Sequence, residues 1–530
     1  MDMSDDRPSA PQDSASAPAI KLDPPPLLHF ERDFRWENQE TNVEITAARL
    51  YDVWNRTADG REPPHDRWRA GLNALRAIAS QAQADDRRVR AYGGTWSLSD
   101  DSSTRDYLID TKPLNYLSLG LAPGQLLPLE AKKAESMVFA QGGIRLMELN
   151  LALEAAGLAL PTSGASNRQT LAGAIATGTH GASVSVGSMQ DFVRGVHLVT
   201  EGGRHVYLEP ASQALVADDF VTMLGAEHVK SDELFRAALV SFGSFGLVHG
   251  YVFEAAPLYE LSKYRFRVDH ETALAWFGLE FQQFALQARL PPAVPHHLEV
   301  IFDPYSAGAL QHGAYVTAMY PVPPQASPPM PPHSAFEPGD DVMNLVARLR
   351  APSSGSVPSL VSDLASSLLT DASDERATPG NTFNNTNIQG PVQCAEIGVS
   401  LAQAPTAVRA IVEEAVRHTF PGLIAARFVR ASQATLAFTR FEPTTCTIAL
   451  PGAEGQATLD FYAAVRERLD REDIPFTQHW GQRGEFSRER VQRMYGGALD
   501  TWIEQRRTFL SPAGRRLFSN ALLERCGLAD

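Results

Sequence analysis

Two glycine-rich runs hold the residues best suited to grip a ligand. One is Leu171-Ala-Gly-Ala-Ile-Ala-Thr-Gly-Thr-His-Gly181, with glycines, threonines and a histidine set between small apolar side chains. Glycine lets the backbone approach a ligand closely and take positive φ. Small side chains leave space for something flat and large, and threonine hydroxyls with freed N–H groups can hold polar ring edges or phosphates. The other run spans Val89 to Ser99, and its Gly93-Gly94-Thr95 turn can present consecutive N–H groups to a diphosphate. It is not a Walker loop, because no Gly-Lys-Ser/Thr follows, and it lacks Gly-x-Gly-x-x-Gly. Either run alone reads equally well as a buried turn between strands.

Proton chemistry has separate candidates. Glu299 sits among Leu298, Val300, Ile301 and Phe302. Buried there, its pKa would rise, which suits a general base; on the wet face of a half-exposed strand it would be inert. Glu396, in Cys394-Ala-Glu-Ile-Gly398, has the same two readings. Arg440 and Glu442 are two apart on a strand-like run, so they face one way. They could gate access or steady a developing alkoxide, or form a surface ion pair worth under about 1 kcal/mol. His180 is expected to fix its own loop by hydrogen bonds. No metal set is expected, since the adjacent His296 and His297 would point to opposite faces of a strand.

These residues need elements to position them. Trp68–Ala84 reads as a helix, and Tyr107–Asp110 and Met137–Ala140 as strands. A helix follows from near Arg145. Beyond Leu258 the pattern changes to longer amphipathic elements: a helix over Ala273–Ala288, strands at Leu298–Phe302 and Ala314–Tyr320, and a helix over Ala407–His418. Ala426–Arg430, Ala434–Glu442 and Thr444–Leu450 read as three strands.

Together the glycine-rich runs resemble the FAD domain of the vanillyl-alcohol oxidase superfamily, with its PCMH-type fold. They most resemble the branch of aldonolactone, alditol and type II cholesterol oxidases. There the first loop reads roughly Arg-Ala-x-Gly-Ser-Gly-His-Ser-x-Ser and the second Gly-Ala-x-Ala-Thr-Gly-Thr-His-Gly. Further segments resemble the family in the same order: Gly142–Leu146 through Gly157–Leu160, Val193–Thr200 and Phe242–Val248. The resemblance implies an α+β chain: a two-part FAD-binding domain (31–257) and an α/β substrate domain with an antiparallel sheet (258–475). Before them comes a disordered tail (1–30), and after them a segment returning to the FAD domain (476–530). Long Pro- and Ser-rich excursions are expected at 321–341 and 351–391.

The resemblance places FAD against Tyr92, Gly93, Gly94, Thr95, Trp96, Ser97, Ser163, Gly164, Thr170, Gly173, Ala174, Thr177, Thr179, His180, Gly181, Val248 and Asn520. Trp96 stands where many relatives carry the histidine that bonds covalently to the flavin, so the expected FAD is non-covalent. None of Cys394, Cys446 and Cys526 matches the position of a second thioether. His479-Trp480-Gly481-Gln482 resembles the His-Trp-Gly-Lys motif, with His479 and Gln482 as catalytic candidates beside Glu299, Arg440 and Glu442. Gln482 can donate only a neutral hydrogen bond where lysine would bring charge. Leu510–Asn520 resembles the family's C-terminal segment, with Ser511 at a capping position.

The implied activity is hydride transfer to FAD from the CH–OH of a small or medium, even apolar, alcohol, with O2 or another acceptor taking the electrons. The rival expectation is a flavin-binding protein without oxidative turnover. Bulk properties suit either. A net charge of -15 disfavours nucleic acid and anionic membranes. Three cysteines make no disulfide framework, no run of about 18 apolar residues suggests a span, and a cytoplasmic protein is expected.

Overall fold

Three sheets organise the protein, described from a computed structural model for residues 21–57, 66–307, 312–325, 346, 349, 354–384 and 392–530. The first sheet has the order β1-β2-β4-β3. Its strands are β1 (Pro26–Glu37), β2 (Glu44–Thr57), β3 (Val89–Tyr92) and β4 (Tyr107–Asp110), with helix α1 (Arg67–Ala84) crossing between β2 and β3. β1 begins inside the stretch expected to be a disordered tail. The Pro321–Val322 end of the 321–341 excursion is strand, and most of that excursion lies outside the described residues.

The second sheet is built from β5 (Leu117–Leu119), β6 (Met137–Gln141), β8 (Val193–Val199), β9 (His205–Glu209), β10 (Glu227–Lys230) and β11 (Leu247–Glu254), in the order β10-β9-β8-β11-β6-β5. A small separate pair joins β7 (Leu158–Ala159) to β12 (Ala256–Pro257). Between β6 and β8 lie α2 (Leu146–Ala155) and α3 (Leu171–Thr177). A row of polar side chains crosses the second sheet beneath α1. Gln141 Oε1 accepts from Asn55 Nδ2 and the Tyr116 amide. That assigns its Nε2 as donor to His249 Nε2, 2.9 Å away. His249 Nδ1 meets His197 Nδ1 at 3.0 Å, and His197 Nε2 meets His205 Nδ1 at 2.9 Å. His249 Nε2 also lies 3.1 Å from Trp68 O, and burial keeps the three imidazoles neutral. Burial holds His249 down at about 3 and His205 at about 4.

The third sheet is antiparallel throughout, in the order β16-β13-β15-β14-β18-β19-β17-β20. Its strands are β13 (Glu260–Val268), β14 (His297–Phe302), β15 (Ala314–Val322), β16 (Ala372–Ala377), β17 (Val392–Ser400), β18 (Ile424–Arg430), β19 (Thr444–Ala453) and β20 (Phe476–Gln478). Alternation sets its two faces. Ala395, Ile397 and Val399 of β17, Ala426 and Phe428 of β18, and Leu298, Val300 and Phe302 of β14 join one core with residues of the helices Ala404–Arg417 and Gln456–Arg471. The intervening residues, Cys394, Glu396, Arg427 and Glu299 among them, take the opposite face.

The observed architecture is the α+β arrangement expected, with local differences. Ala273–Ala288 is not one helix: His270–Ala275 and Phe281–Ala288 are separated by a turn in which Leu279 takes φ +57°. Ala434–Glu442 is not a strand but an irregular crossing between β18 and β19. The 351–391 excursion carries the helix Val357–Leu368, β16 and a short helix Pro379–Thr382. Its apolar Val357, Val361 and Ala365 find a core under the sheet. No helix among the described residues is long and apolar enough to cross a membrane.

Candidate functional site

The second glycine-rich run is not the open loop its composition suggests. Leu171–Thr177 forms α3, which ends in a Schellman turn: Gly178 takes φ +81°, and the Thr179 amide reaches Ala174 O at 2.8 Å. The first run turns sharply after β3, and Thr95 takes φ +58°. A β-branched residue rarely adopts that conformation, so the neighbouring structure must hold it. The two runs interlock. A Cβ on Gly93 would collide with the Thr170 side chain, and one on Gly94 would lie 2.6 Å from Arg168 O.

These runs form one wall of a cavity that is partly open to solvent. Of the cofactor candidates, Tyr92, Gly93, Gly94, Thr95, Trp96, Ser97, Gly164, Thr170, Gly173, Ala174, Thr177, Thr179, His180 and Val248 line it. Ser163, Gly181 and Asn520 do not. Asn520 instead donates to the Asp101 and Ser103 carbonyls and caps the helix Ala521–Cys526, so it braces the wall from behind. Ser511 likewise caps Pro512–Leu517 through the Gly514 amide.

The facing wall comes from the third sheet and the segment after β20. His479 and Gln482 line the cavity, whereas Trp480 is fully buried in the core with its Nε1 on Leu436 O at 2.8 Å. Gly481 O accepts the Leu98 amide at 2.8 Å, which ties this wall to the first loop. Glu396 lines the cavity too. His180 Nε2 lies 3.0 Å from Glu396 Oε1, while His180 Nδ1 lies 2.7 Å from Gly181 O. The His180 ring thus bridges the Gly181 carbonyl of its own loop and the Glu396 carboxyl of the facing sheet. Burial alone would raise the Glu396 carboxyl. The attraction of His180, its hydrogen bond, and then His479 and Arg427 outweigh burial and hold it at about 2. Burial pushes His479 down to about 4.

His180, Glu396 and His479 bring three ligand-type atoms within 4.8 Å of one another. In this arrangement His180 bridges Gly181 O and Glu396, and His479 Nδ1 accepts the Gly481 amide at 3.0 Å.

Three expectations about the catalytic candidates change. Glu299 is nearly buried, yet its carboxyl lies below the usual range, not above it: burial opposes, but Arg427, then His297 and Arg265, prevail. Arg427 stands directly across from it on β18, Nε to Oε1 at 2.8 Å, and it is Arg427 that lines the cavity. Arg440 and Glu442 are not a pair on a strand. Arg440 donates to the Met494 and Tyr495 carbonyls, and Glu442 is exposed and bonded to Gln433. Neither lines the cavity. Cavity residues not expected were Arg90, Asp101, Phe242, Gly243, Cys394, Arg427 and Ala449. Period-two alternation from Glu396 would have found Cys394; Arg427 needed the register between β14 and β18.

The comparisons follow this geometry. The family profile described as FAD binding domain matches residues 71–209. The chain overlays cholesterol oxidase from B. sterolicum with a TM-score of 0.66 over 96% of this chain and 99% of that one, at 13% identity. The overlay shows that the two chains share a fold, and the profile marks an FAD binding domain within it. Alditol oxidase of Streptomyces is 31% identical over 31% of this chain. L-gulonolactone oxidase of Scyliorhinus torazame is 27% identical over 37% of this chain. These matches span only 35% and 38% of the relatives' own lengths. L-gulono-1,4-lactone dehydrogenase of Mycobacterium tuberculosis is 23% identical over 84% of this chain and 93% of its own.

The residues present fit FAD. The cavity wall carries buried polar atoms without partners, Trp96 Nε1, Asp101 Oδ1, Gln169 Oε1 and Gln482 Oε1. A ligand rich in both donors and acceptors would satisfy them.

Proposed function

We propose that this protein is an FAD-dependent oxidoreductase that oxidises the CH–OH group of a small or medium alcohol, with FAD held non-covalently. The supporting observation is the two-walled cavity, in which the cofactor-type runs face Glu396, Arg427 and His479. The names of the similar proteins, lactone and alditol oxidases and a lactone dehydrogenase, point to the same bond. When bound, FAD accepts a hydride from the carbon bearing the hydroxyl and passes the electrons to O2 or another acceptor.

The chain's own groups manage the proton. Glu396 is ionised at neutral pH, and only one of its oxygens is engaged by His180. The other is available to the substrate hydroxyl. A carboxylate of low basicity still serves, because the hydroxyl becomes strongly acidic as the hydride leaves. His180 holds Glu396 through Oε1, and His479, fixed by the Gly481 amide, stands beside it. The Arg427 guanidinium adds positive charge where negative charge develops on the substrate oxygen. Trp96 stands where a covalent bond would require a nucleophilic imidazole, and its indole, which lines the cavity, would offer an apolar face to the bound cofactor.

Anaerobic mixing with a panel of polyols, aldonolactones and apolar alcohols, followed by air, tests the reading. Bleaching by at least one alcohol and recovery in air are expected, and no bleaching across the panel refutes oxidation. Acid precipitation should leave the yellow colour in the supernatant; colour in the pellet refutes non-covalent binding.

A further inference from the structure

The turn after β3 spends its carbonyls and keeps its amides. From outside the cavity, the segment between β1 and β2 takes the carbonyls. The Gln39 amide donates to Thr95 O at 2.9 Å, Asn38 Nδ2 to Ser97 O at 2.8 Å and Asn42 Nδ2 to Leu98 O at 2.8 Å. Gly94 O accepts from Thr95 Oγ1 at 2.8 Å. Among the described residues, no acceptor meets the amides of Gly94, Thr95 and Trp96.

The Trp96 side chain adds another unspent donor. Its Nε1 is buried without a partner in the cavity wall, although a buried indole N–H usually finds one. The backbone that carries it is pinned on both sides, by the contacts above and by the Leu98 amide on Gly481 O at 2.8 Å. The indole also rests over Gly94: a Cβ there would lie 3.0 Å from Trp96 Cδ1, the ring carbon bonded to Nε1. Glycine at 94 thus lets the indole N–H stand beside the unspent amides. The cation at this turn is already neutralised, since Lys112 Nζ, 3.5 Å from Gly93 O, is paired with Asp110 Oδ2 at 2.7 Å. A patch that offers donors and no free acceptor suits a group that accepts and does not donate. Phosphate oxygens meet that condition. Ribose and ribityl hydroxyls and the adenine amine also donate, and the carbonyls they would need are already taken.

We propose that the Trp96 indole N–H donates to a phosphate oxygen of bound FAD, which makes Trp96 a diphosphate anchor as well as an apolar face. The inference rests on the proposed non-covalent cofactor site and names a group that holds the cofactor where a covalent tether is missing.

Trp96→Phe keeps an aromatic face and removes the N–H. Dissociation constants are measured on full-length apoprotein with FAD, FMN and riboflavin, which share the flavin ring and differ in phosphate. Trp96→Phe should weaken FAD and FMN about tenfold to a hundredfold, the range for a hydrogen bond to a charged group, and leave riboflavin within about twofold. A penalty for riboflavin as large as for FAD, or none for FAD, overturns the anchor. The wild-type protein is read directly by NMR of its indole N–H protons, the Trp96 signal being the one absent from Trp96→Phe. FAD and FMN should slow exchange of this proton with water, and riboflavin should not. Unchanged exchange on FAD binding overturns the anchor by itself. Neither readout uses a substrate. Wild-type protein that takes up no flavin sinks the proposed function together with the anchor, whereas undiminished FAD binding in Trp96→Phe sinks the anchor alone.

Discussion

Acid should unfold this protein through the histidine row beneath α1. The row is neutral, and adding a proton to His249 puts an uncompensated charge in a site with no exposed surface. His249 is held at about 3 against 6.5 for the free side chain, burial being the main cause. The folded value lies below the unfolded one, so the unfolded state binds the proton first. The stability that neutral His249 preserves is fully present above pH 6.5 and is lost as pH falls towards about 3. At about 1.4 kcal/mol per tenfold, the loss from His249 is about 2 kcal/mol at pH 5 and about 4 kcal/mol at pH 3. His205 adds to it in the same direction, with its lower limit near 4. Carboxylates also titrate in this range, so the measurement is a difference. Urea midpoints are taken from pH 7 to pH 4 for wild type and for His249→Gln, an uncharged amide that can still accept from Gln141. The variant should lose stability at pH 7 but show a shallower fall with acid, the two curves converging by about 2 kcal/mol at pH 5. Parallel curves would refute the reasoning, because the row would then not be the group that takes up the proton.

Other perturbations address the site. Gly93→Ala drives a methyl into the Thr170 side chain; FAD content after purification should fall sharply, read from the flavin to protein absorbance ratio, with the circular dichroism spectrum retained. Glu396→Gln should slow anaerobic flavin reduction by about 10²- to 10⁴-fold, the range for losing a positioned base, while FAD content holds. Arg427→Met strands the nearly buried Glu299 carboxylate and should cost about 3–5 kcal/mol of urea stability at pH 7, the loss shrinking as pH falls and Glu299 protonates.

Much of the fold was legible because it rests on local patterns. Short, mostly apolar runs located β4, β6 and β14, the resemblance located β19, and the apolar stripe from Val408 to Val416 located the helix Ala404–Arg417. Ala273–Ala288 misled because its composition favours helix throughout, and only the packing of Trp276 and Phe284 against each other explains the break. Ala434–Glu442 alternates like a strand but has no edge to pair with. Leu436 and Ala437 are buried there in a core with residues of the second sheet and the C-terminal segment, Phe438 packs on His180 and His479, and Trp480 and Thr477 donate to carbonyls of this crossing.

The sequence by itself determined the two glycine-rich runs of one wall and the replacement of histidine by Trp96. Glycine, threonine and tryptophan restrict what a backbone can do and what can react with a ring, whatever surrounds them. Which carboxylate faces the cavity was decided only by the tertiary structure. Glu299 and Glu396 have similar local sequences, and their difference lies in partners 128 and 216 residues away along the chain. Electrostatic energy depends on distance in space, so register between β14 and β18 paired one carboxylate with Arg427, and docking of the two walls brought the other to His180.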